Sequence, residues 1–235
     1  MKGFLILLLL IGIWTLSALS LYQIQFTTNP GIDNTYPSPY AGKSVTVQGI
    51  VTAIDYKSGG FFISEPSGGA WRGIYIRANS IQVATGDKII IKGTVAEYYG
   101  MTCLQDIKNV TVIDKNHPIP LASIVTTGQI TSATQAEEYE STLVKVQNST
   151  SVQKQAFING NSINDGSGAC LMGSSFYPEL SKKFTPGVVY SSLSGIVCYS
   201  YGTYSINPRI KNDVVITVPV YNQNRSWGRI KSIYK

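Results

Sequence analysis

The stretch Gly93-Thr-Val-Ala-Glu-Tyr-Tyr-Gly100 recurs in this 235-residue chain as Gly195-Ile-Val-Cys-Tyr-Ser-Tyr-Gly202. In both copies the glycines lie seven residues apart, a valine lies two positions after the first glycine, and a tyrosine precedes the second. Apolar runs flank each copy, as expected where two strands meet at a tight turn that contains glycine. The repeat therefore predicts two copies of one small β-structure, each with this hairpin near its end.

The first predicted strand of each copy supports the duplication. In Ser44–Asp55 the alternation of Val45, Val47 and Val51 with polar residues predicts a strand with one buried face. Gly49 within this strand indicates the sharp bend that a small closed barrel needs. The residues that recur at constant spacing in the second copy are Tyr40, Val45, Val47 and Gln48, matched by Tyr139, Val144, Val146 and Gln147.

These patterns predict an all-β chain of two tandem OB-fold-like five-stranded barrels, because each copy holds about five short strands with glycine-containing bends. A pair of small β-sandwiches is the alternative. We assign residues 21–117 to the first barrel, including an N-terminal strand at Leu21–Thr28, and residues 118–219 to a second, divergent barrel. Short helices are predicted near Ala133–Tyr139 and at Phe176–Phe184.

The two ends of the chain differ from its body. Residues 1–20 are predicted to be a signal peptide, because Lys2 precedes the apolar run Phe4–Leu16 and Ala18-Leu19-Ser20 resembles a cleavage site. This predicts a secreted or cell-envelope protein. The alternative is an uncleaved anchor, in which case the membrane is contacted only through this segment. Residues 220–235 are predicted to form a basic tail.

The charge of the chain gives weak support for a nucleic-acid groove. The formal net charge is +6, but Lys2 and the four basic residues of the tail leave the body at about +1. Most of the basic character therefore belongs to the ends of the chain and not to a barrel surface.

Few residues are suited to catalysis or metal binding. No two of the three cysteines, Cys103, Cys170 and Cys198, form a Cys-x-x-Cys motif. Cys103 and Cys198 lie in strand-like runs, which predicts that they are buried. His117 is the only histidine, and it lies in a predicted linker. Because metal-assisted and acid–base chemistry needs several such groups in one place, we predict a non-enzymatic protein with no cofactor and no metal site.

A binding surface is predicted on the third strand of the first barrel, Trp71–Arg77. Alternation places Trp71, Tyr75 and Arg77 on one face and Ile74 and Ile76 on the other, which we expect to be core. Exposed aromatic rings stack on bases, and flanking cations contact phosphates. The residues predicted to bind single-stranded DNA or RNA are Phe61, Trp71, Tyr75, Arg77, Lys88 and Lys92.

The first copy also resembles the OB-fold domains of secreted bacterial proteins, including those that accompany extracellular nucleases. The resemblance covers Tyr22–Asp114 and, in the second copy, mainly Gly195–Pro208. It implies export, an OB fold and an accessory role with nucleic-acid binding, since in such proteins the nuclease chemistry lies in a separate domain. The segments that carry it are Tyr36-Pro-Ser-Pro-Tyr-Ala-Gly42, Val45-Thr-Val-Gln-Gly-Ile-Val-Thr-Ala53, Gly60-Phe-Phe-Ile-Ser-Glu-Pro66, Gly68-Gly-Ala-Trp-Arg-Gly-Ile-Tyr75 and Gly93-Thr-Val-Ala-Glu-Tyr-Tyr-Gly-Met-Thr102.

Two other functions fit the same pattern. Phe61 and Trp71 could instead cover the ends of the barrel or pack against the N-terminal strand. The protein would then be a structural or cell-surface module that binds another protein. Trp and Tyr faces also stack on sugars, so carbohydrate binding is the third hypothesis.

Overall fold

The computed structural model of the protein describes residues 18–57, 59–155, 160–182, 185–200 and 202–217. The predicted signal peptide therefore lies outside the described residues except for its last three positions, and the predicted basic tail lies outside them entirely. Within the described residues, no helix has the length and apolar character needed to cross a membrane.

Five strands form the first barrel: β1 (Ser44–Tyr56), β2 (Gly60–Ser64), β3 (Gly73–Ile76), β4 (Lys88–Tyr98) and β5 (Met101–Asp114). They close in the order β1-β2-β3-β5-β4, because β4 also pairs with β1. Strands β3 and β5 are parallel and the other pairs are antiparallel. This is a closed Greek-key barrel of the OB type.

The second barrel repeats this topology. Its strands are β6 (Ser123–Ile124), β7 (Leu143–Gln155), β8 (Gly160–Asn164), β9 (Cys170–Gly173), β10 (Val189–Ser200), β11 (Thr203–Asn207) and β12 (Val214–Ile216). The ring closes as β7-β8-β9-β11-β10, with β9 parallel to β11, while β6 and β12 are added beside β7 and β10. The prediction of two tandem OB-fold-like five-stranded barrels is confirmed.

The duplicated glycines occupy equivalent positions in the two barrels. Gly93 pairs with Val45 across β4 and β1, and Gly195 pairs with Val144 across β10 and β7. A Cβ atom on Gly195 would lie 2.5 Å from the carbonyl carbon of Asn207. Because no side chain fits at that distance, glycine is required where the long strand bends against its hairpin partner.

Each barrel is preceded by a short helix with the same N-terminal cap. These helices are α1 (Leu21–Gln25) and α2 (Thr127–Thr131). In α1 the Ser20 hydroxyl accepts a hydrogen bond from the N–H of Gln23, and the Gln23 side chain accepts one from the N–H of Ser20. Thr126 and Gln129 form the same capping box in α2. The structural repeat therefore includes the helix that precedes each barrel.

The residues just before α1 belong to the first barrel. The N–H of Leu19 donates to the carbonyl of Thr46 at 3.0 Å, and the N–H of Val125 donates to the carbonyl of Lys145 at the same distance. Leu19 and Ser20, which the sequence assigned to the end of a signal peptide, thus have the structural roles that Val125 and its successor have in the second barrel.

The strand predicted at Leu21–Thr28 is wrong, because its first five residues are helical. Leu21 and Ile24 are fully buried in the first barrel, whereas Tyr22 is exposed. Three-residue spacing of buried side chains is a helical period, and the capping box favours a helix start over the extended alternation that predicted a strand.

Two further helices lie in the second half of the chain. They are α3 (Ala133–Glu137) and α4 (Glu179–Lys182), which confirm the helices predicted near 133–139 and within 176–184 in shorter form.

The apolar core forms two clusters. One fills the first barrel, where Val47, Ile63, Ile74 and Leu104 have no exposed surface. The other fills the second barrel and continues onto the outer wall of the first. The first-barrel residues that belong to this shared cluster are Ala53, Tyr56, Phe62, Tyr75, Met101 and Cys103. The two barrels are therefore packed against each other.

Candidate functional site

The predicted aromatic face of the first barrel is buried. Phe61 is 1% exposed and Tyr75 is 3% exposed, so the prediction that they form an exposed binding surface is wrong. Phe61 belongs to the cluster inside the barrel. Tyr75 lies on the outer face of β3 next to Phe62 on β2, with the two ring centroids 5.1 Å apart. Ile74 and Ile76 are fully buried, which confirms that side of the strand as core.

The second barrel covers this outer face. Phe176, which precedes α4, lies 5.3 Å from Tyr56 and 5.7 Å from Phe62 between ring centroids. At Gly73 the backbones approach so closely that a Cβ atom would clash with the carbonyl of Ser141. Alternation in the sequence separates the two faces of a strand, but it does not reveal what packs on the outer one.

Trp71 lies at the start of the predicted strand and outside β3, in a turn with a φ of 63°. Its ring is partly exposed and packs edge to face against Phe26 at 5.5 Å. Phe26 stacks on Tyr22 at 5.2 Å, and the Arg72 guanidinium lies 5.2 Å from the Tyr22 ring. We call Tyr22, Phe26, Trp71 and Arg72 the α1 aromatic surface. Arg72 is also paired with Glu65.

Lys88 and Lys92 lie on a different wall of the barrel. Both are on β4, which pairs with β1 and β5 and is therefore across the ring from β2 and β3. In the register of the two strands, Lys88 lies opposite Asp114 of β5, and Lys92 lies opposite Asn109. The structure therefore does not bring these two lysines together with Trp71.

Arg77 lies just beyond the other end of β3 and is exposed. Its guanidinium carbon is 4.4 Å from the centroid of the Tyr98 ring, and its Nη1 donates to Gln105 Oε1 at 3.2 Å. The ammonium group of Lys57, in the loop between β1 and β2, lies 5.7 Å from the same ring. Tyr99, in the turn between β4 and β5, is 68% exposed and lies 4.7 Å from Tyr98.

We call Lys57, Arg77, Tyr98 and Tyr99 the loop rim. Of these four residues, only Arg77 was predicted from the sequence to bind a ligand. Tyr98 and Tyr99 belong to the duplicated hairpin, and Lys57 precedes a glycine turn. Because the β1–β2 and β4–β5 loops meet at one end of an OB barrel, the strand order could have identified this end as a candidate site. The cation–ring contacts between them could not.

Three carboxyl groups lie near the junction of the barrels. The Tyr204 hydroxyl donates to Glu137 at 2.5 Å, the Thr102 N–H donates to Glu140 at 2.9 Å, and the Thr102 hydroxyl donates to Glu97. Burial raises the pKa of Glu137 to about 8. Burial, and then repulsion from Glu137, raises the pKa of Glu140 well above its usual range. Burial also raises the pKa of Glu97.

The second oxygen of Glu140 has no hydrogen-bond partner and is buried, which is consistent with a protonated, uncharged acid. Among the described residues, no group of three or more His, Cys, Asp or Glu side chains has the geometry to hold a metal ion. The carboxyls at the junction are therefore interpreted as a structural, pH-sensitive cluster.

A cavity of about 370 Å³ lies on the second barrel. Ser162 on β8 lies opposite Leu171 on β9, and both of these side chains line the cavity. They occupy the positions that Phe62 and Tyr75 have on β2 and β3 of the first barrel. The smaller side chains leave space where the first barrel has rings. The other lining residues, none of them a carboxylate or a basic group, are Ile130, Thr131, Ala133, Val152, Ala169, Cys170, Gly202, Thr203 and Tyr204.

The predicted burial of Cys103 and Cys198 is confirmed, and Cys170 is buried as well. None of the three forms a disulfide. Burial raises the pKa of each thiol to about 12, so each is a small apolar core residue without thiolate character.

No protein-family model matches the chain, and no curated protein sequence matches it. The functional interpretation therefore depends on the geometry of the loop rim, the α1 aromatic surface and the second-barrel cavity.

Proposed function

We propose that the protein is a non-catalytic, exported module that binds single-stranded nucleic acid through the loop rim. The observation that supports this most strongly is the position of the rim. Two cationic side chains and two tyrosines meet where the β1–β2 loop and the β4–β5 hairpin converge, and OB barrels use these loops to bind oligonucleotides.

The rim offers both kinds of contact that a single strand needs. The exposed ring of Tyr99 provides a face for a base, and stacking on such a ring is worth about 1–3 kcal/mol per base. Lys57 and Arg77 provide charges for the flanking phosphates. Two phosphate contacts predict a modest salt dependence, with a slope of about −1.4 for log K against log salt concentration.

The covered β2–β3 face limits the length of the bound strand. Phe176 and the second barrel occupy the surface across which a strand would otherwise pass. We therefore expect a short footprint along the rim and weak affinity.

The test is a fluorescence-anisotropy titration of labelled single-stranded DNA and RNA with the full chain and two variants. Tyr99→Asn removes the ring but keeps the turn, because Tyr99 has a φ of 52° and asparagine tolerates that conformation before Gly100. This variant should lower affinity about 5- to 150-fold, the equivalent of one lost stack. Arg77→Ala should weaken binding and reduce the salt slope by about 0.7.

The matched control is the double variant Lys88→Ala, Lys92→Ala. It removes two positive charges from the wall opposite β2 and β3 and should leave affinity nearly unchanged. An equal loss in this control would show that binding follows net charge and not the rim. The absence of measurable binding by the unmodified chain would reject the proposal.

A second candidate function is the binding of a neutral saccharide in the second-barrel cavity. Its uncharged lining of hydroxyl and apolar side chains favours a ligand without charge. A glycan array would test this, with Leu171→Trp as the variant that fills the cavity. A glycan that binds the unmodified chain and the Leu171→Trp variant equally well would exclude the cavity as its binding site.

A further inference from the structure

The α1 aromatic surface is exposed although three of its four side chains are aromatic. Tyr22 is 36% exposed and Phe26 is 43% exposed, and both contact partly exposed neighbours at Trp71 and Arg72. Exposed aromatic groups of this kind mark an interaction surface. The pairing of Arg72 with Glu65 offsets its charge, so the surface is close to neutral.

This surface lies where the chain enters the first barrel. Leu19 is fixed to β1 through Thr46, and α1 begins two residues later. The apolar run Phe4–Leu16 ends three residues before Leu19. Three residues span at most about 10 Å, so the end of the apolar run at Leu16 lies within that distance of Leu19, which precedes α1.

Removal of residues 1–20 would damage this end of the barrel. It would delete the Leu19–Thr46 hydrogen bond and the Ser20 side of the capping box, both of which have counterparts in the second barrel at Val125 and Thr126. The repeat therefore favours a chain that is not cut after Ser20 and that keeps Leu19 and Ser20.

We propose that the apolar N-terminal segment stays attached and that the α1 aromatic surface rests in the interfacial layer of a lipid bilayer. Trp and Tyr side chains prefer this layer, where an apolar ring and a polar group are both accommodated. Because the surface is nearly neutral, the contact depends on the rings, and zwitterionic lipid is sufficient.

This orientation places the loop rim away from the membrane. Strand β1 runs from Val47, which bridges to Leu19, to Tyr56, which precedes Lys57 of the rim. Nine residues of strand cover up to about 30 Å. Strand β3 runs in the same direction, from the Trp71 side to Arg77, since both strands are antiparallel to β2.

The test uses the full chain in phosphatidylcholine vesicles that contain brominated lipid. Trp14→Phe and Trp227→Phe leave Trp71 as the only tryptophan and change no described residue. We expect its emission to shift to the blue and to lose most of its intensity when the bromines lie near the glycerol backbone. Bromines near the chain ends should quench it weakly.

The control carries Tyr99→Trp with Trp14, Trp71 and Trp227 changed to Phe, which moves the probe to the loop rim. We expect no quenching of this probe. Unquenched emission from Trp71 would overturn the proposal, and so would equal quenching of both probes, because lipid contact would then not be confined to the α1 aromatic surface.

The variant Phe26→Ser in the Trp71-only chain tests the role of the rings. It should reduce the quenching of Trp71, and 0.5 M salt should not. Quenching that disappears in salt but survives Phe26→Ser would show electrostatic adsorption and contradict the proposal. A urea transition confirms that each variant is folded.

Discussion

The carboxyl cluster at the junction of the barrels predicts that stability falls as pH rises. Glu137 and Glu140 are each 2% exposed, and Glu140 has an unpaired buried oxygen. Ionisation of either group leaves a charge in a poorly solvated site beside another acid. The perturbation that isolates this effect is Glu137→Gln, because the amide oxygen can still accept the hydrogen bond from Tyr204.

The size of the effect follows from the pKa of Glu137. Burial raises this pKa from 4.5 to about 8 in the folded protein. That difference is equivalent to a free energy of about 5 kcal/mol. Since the side chain is almost fully buried, solvent screening removes little of it.

The sign of the effect is set by the raised pKa in the folded state. The contribution of Glu137 to stability is fully present below pH 4.5 and is lost as pH rises through about 8. Glu140 and Glu97 act in the same direction, because burial raises their pKa values also. Asp165, with its pKa lowered to about 2, affects stability only in more acidic solution.

The assay is urea unfolding at pH 5, 7 and 9, followed by far-UV circular dichroism. The free energy of unfolding of the unmodified chain should fall by several kcal/mol between pH 5 and pH 9. For Glu137→Gln it should fall much less, so that this variant is the more stable protein at pH 9 and differs little from the unmodified chain at pH 5. Glu138→Gln, a change of the adjacent, partly exposed acid, should follow the unmodified chain.

A free energy of unfolding that is constant or rises between pH 5 and pH 9 would refute this reasoning. So would a Glu137→Gln variant with the same pH dependence as the unmodified chain. Either result would mean that the Glu137 carboxyl is solvated in the folded protein.

Two substitutions test individual contacts between the barrels. Arg209→Ala should lower the free energy of unfolding in urea by about 3 kcal/mol. The reason is that the Arg209 guanidinium forms an ion pair with the buried Asp213 and donates to the carbonyl of Thr52 on the first barrel at 3.0 Å. A decrease of less than about 1 kcal/mol would contradict this. Gly73→Ala should cost about 2 kcal/mol, because its Cβ atom would meet the Ser141 carbonyl; an unchanged thermal midpoint would show that the two backbones are farther apart.

The topology could be predicted from the sequence because the duplicated hairpin carries strong local signals. The glycines at 93 and 195 are required by close backbone contacts, and they occupy the same register in both barrels. Alternation in β1 correctly identified Val45, Val47 and Val51 as core, as it did Ile74 and Ile76 in β3.

The binding surface could not be predicted in the same way. Tyr75 is correctly placed on the outer face of β3, but that face is covered by residues about 100 positions later in the chain. Local periodicity contains no information about such a partner. The single helical turn at Leu21–Gln25 was also missed, because five residues with apolar spacing are too few to distinguish a helix from a strand.

The central claim, that the second barrel covers the β2–β3 face of the first, is tested most directly by thiol labelling of the native chain. Cys103 pairs with Tyr75 beneath the second barrel, and Cys103 has no exposed surface. We predict that the Cys103 thiol reacts with a maleimide on the order of a thousandfold more slowly in the native chain than in the unfolded chain. Rapid labelling of Cys103 in the native chain, as identified by mass spectrometry, would contradict the account.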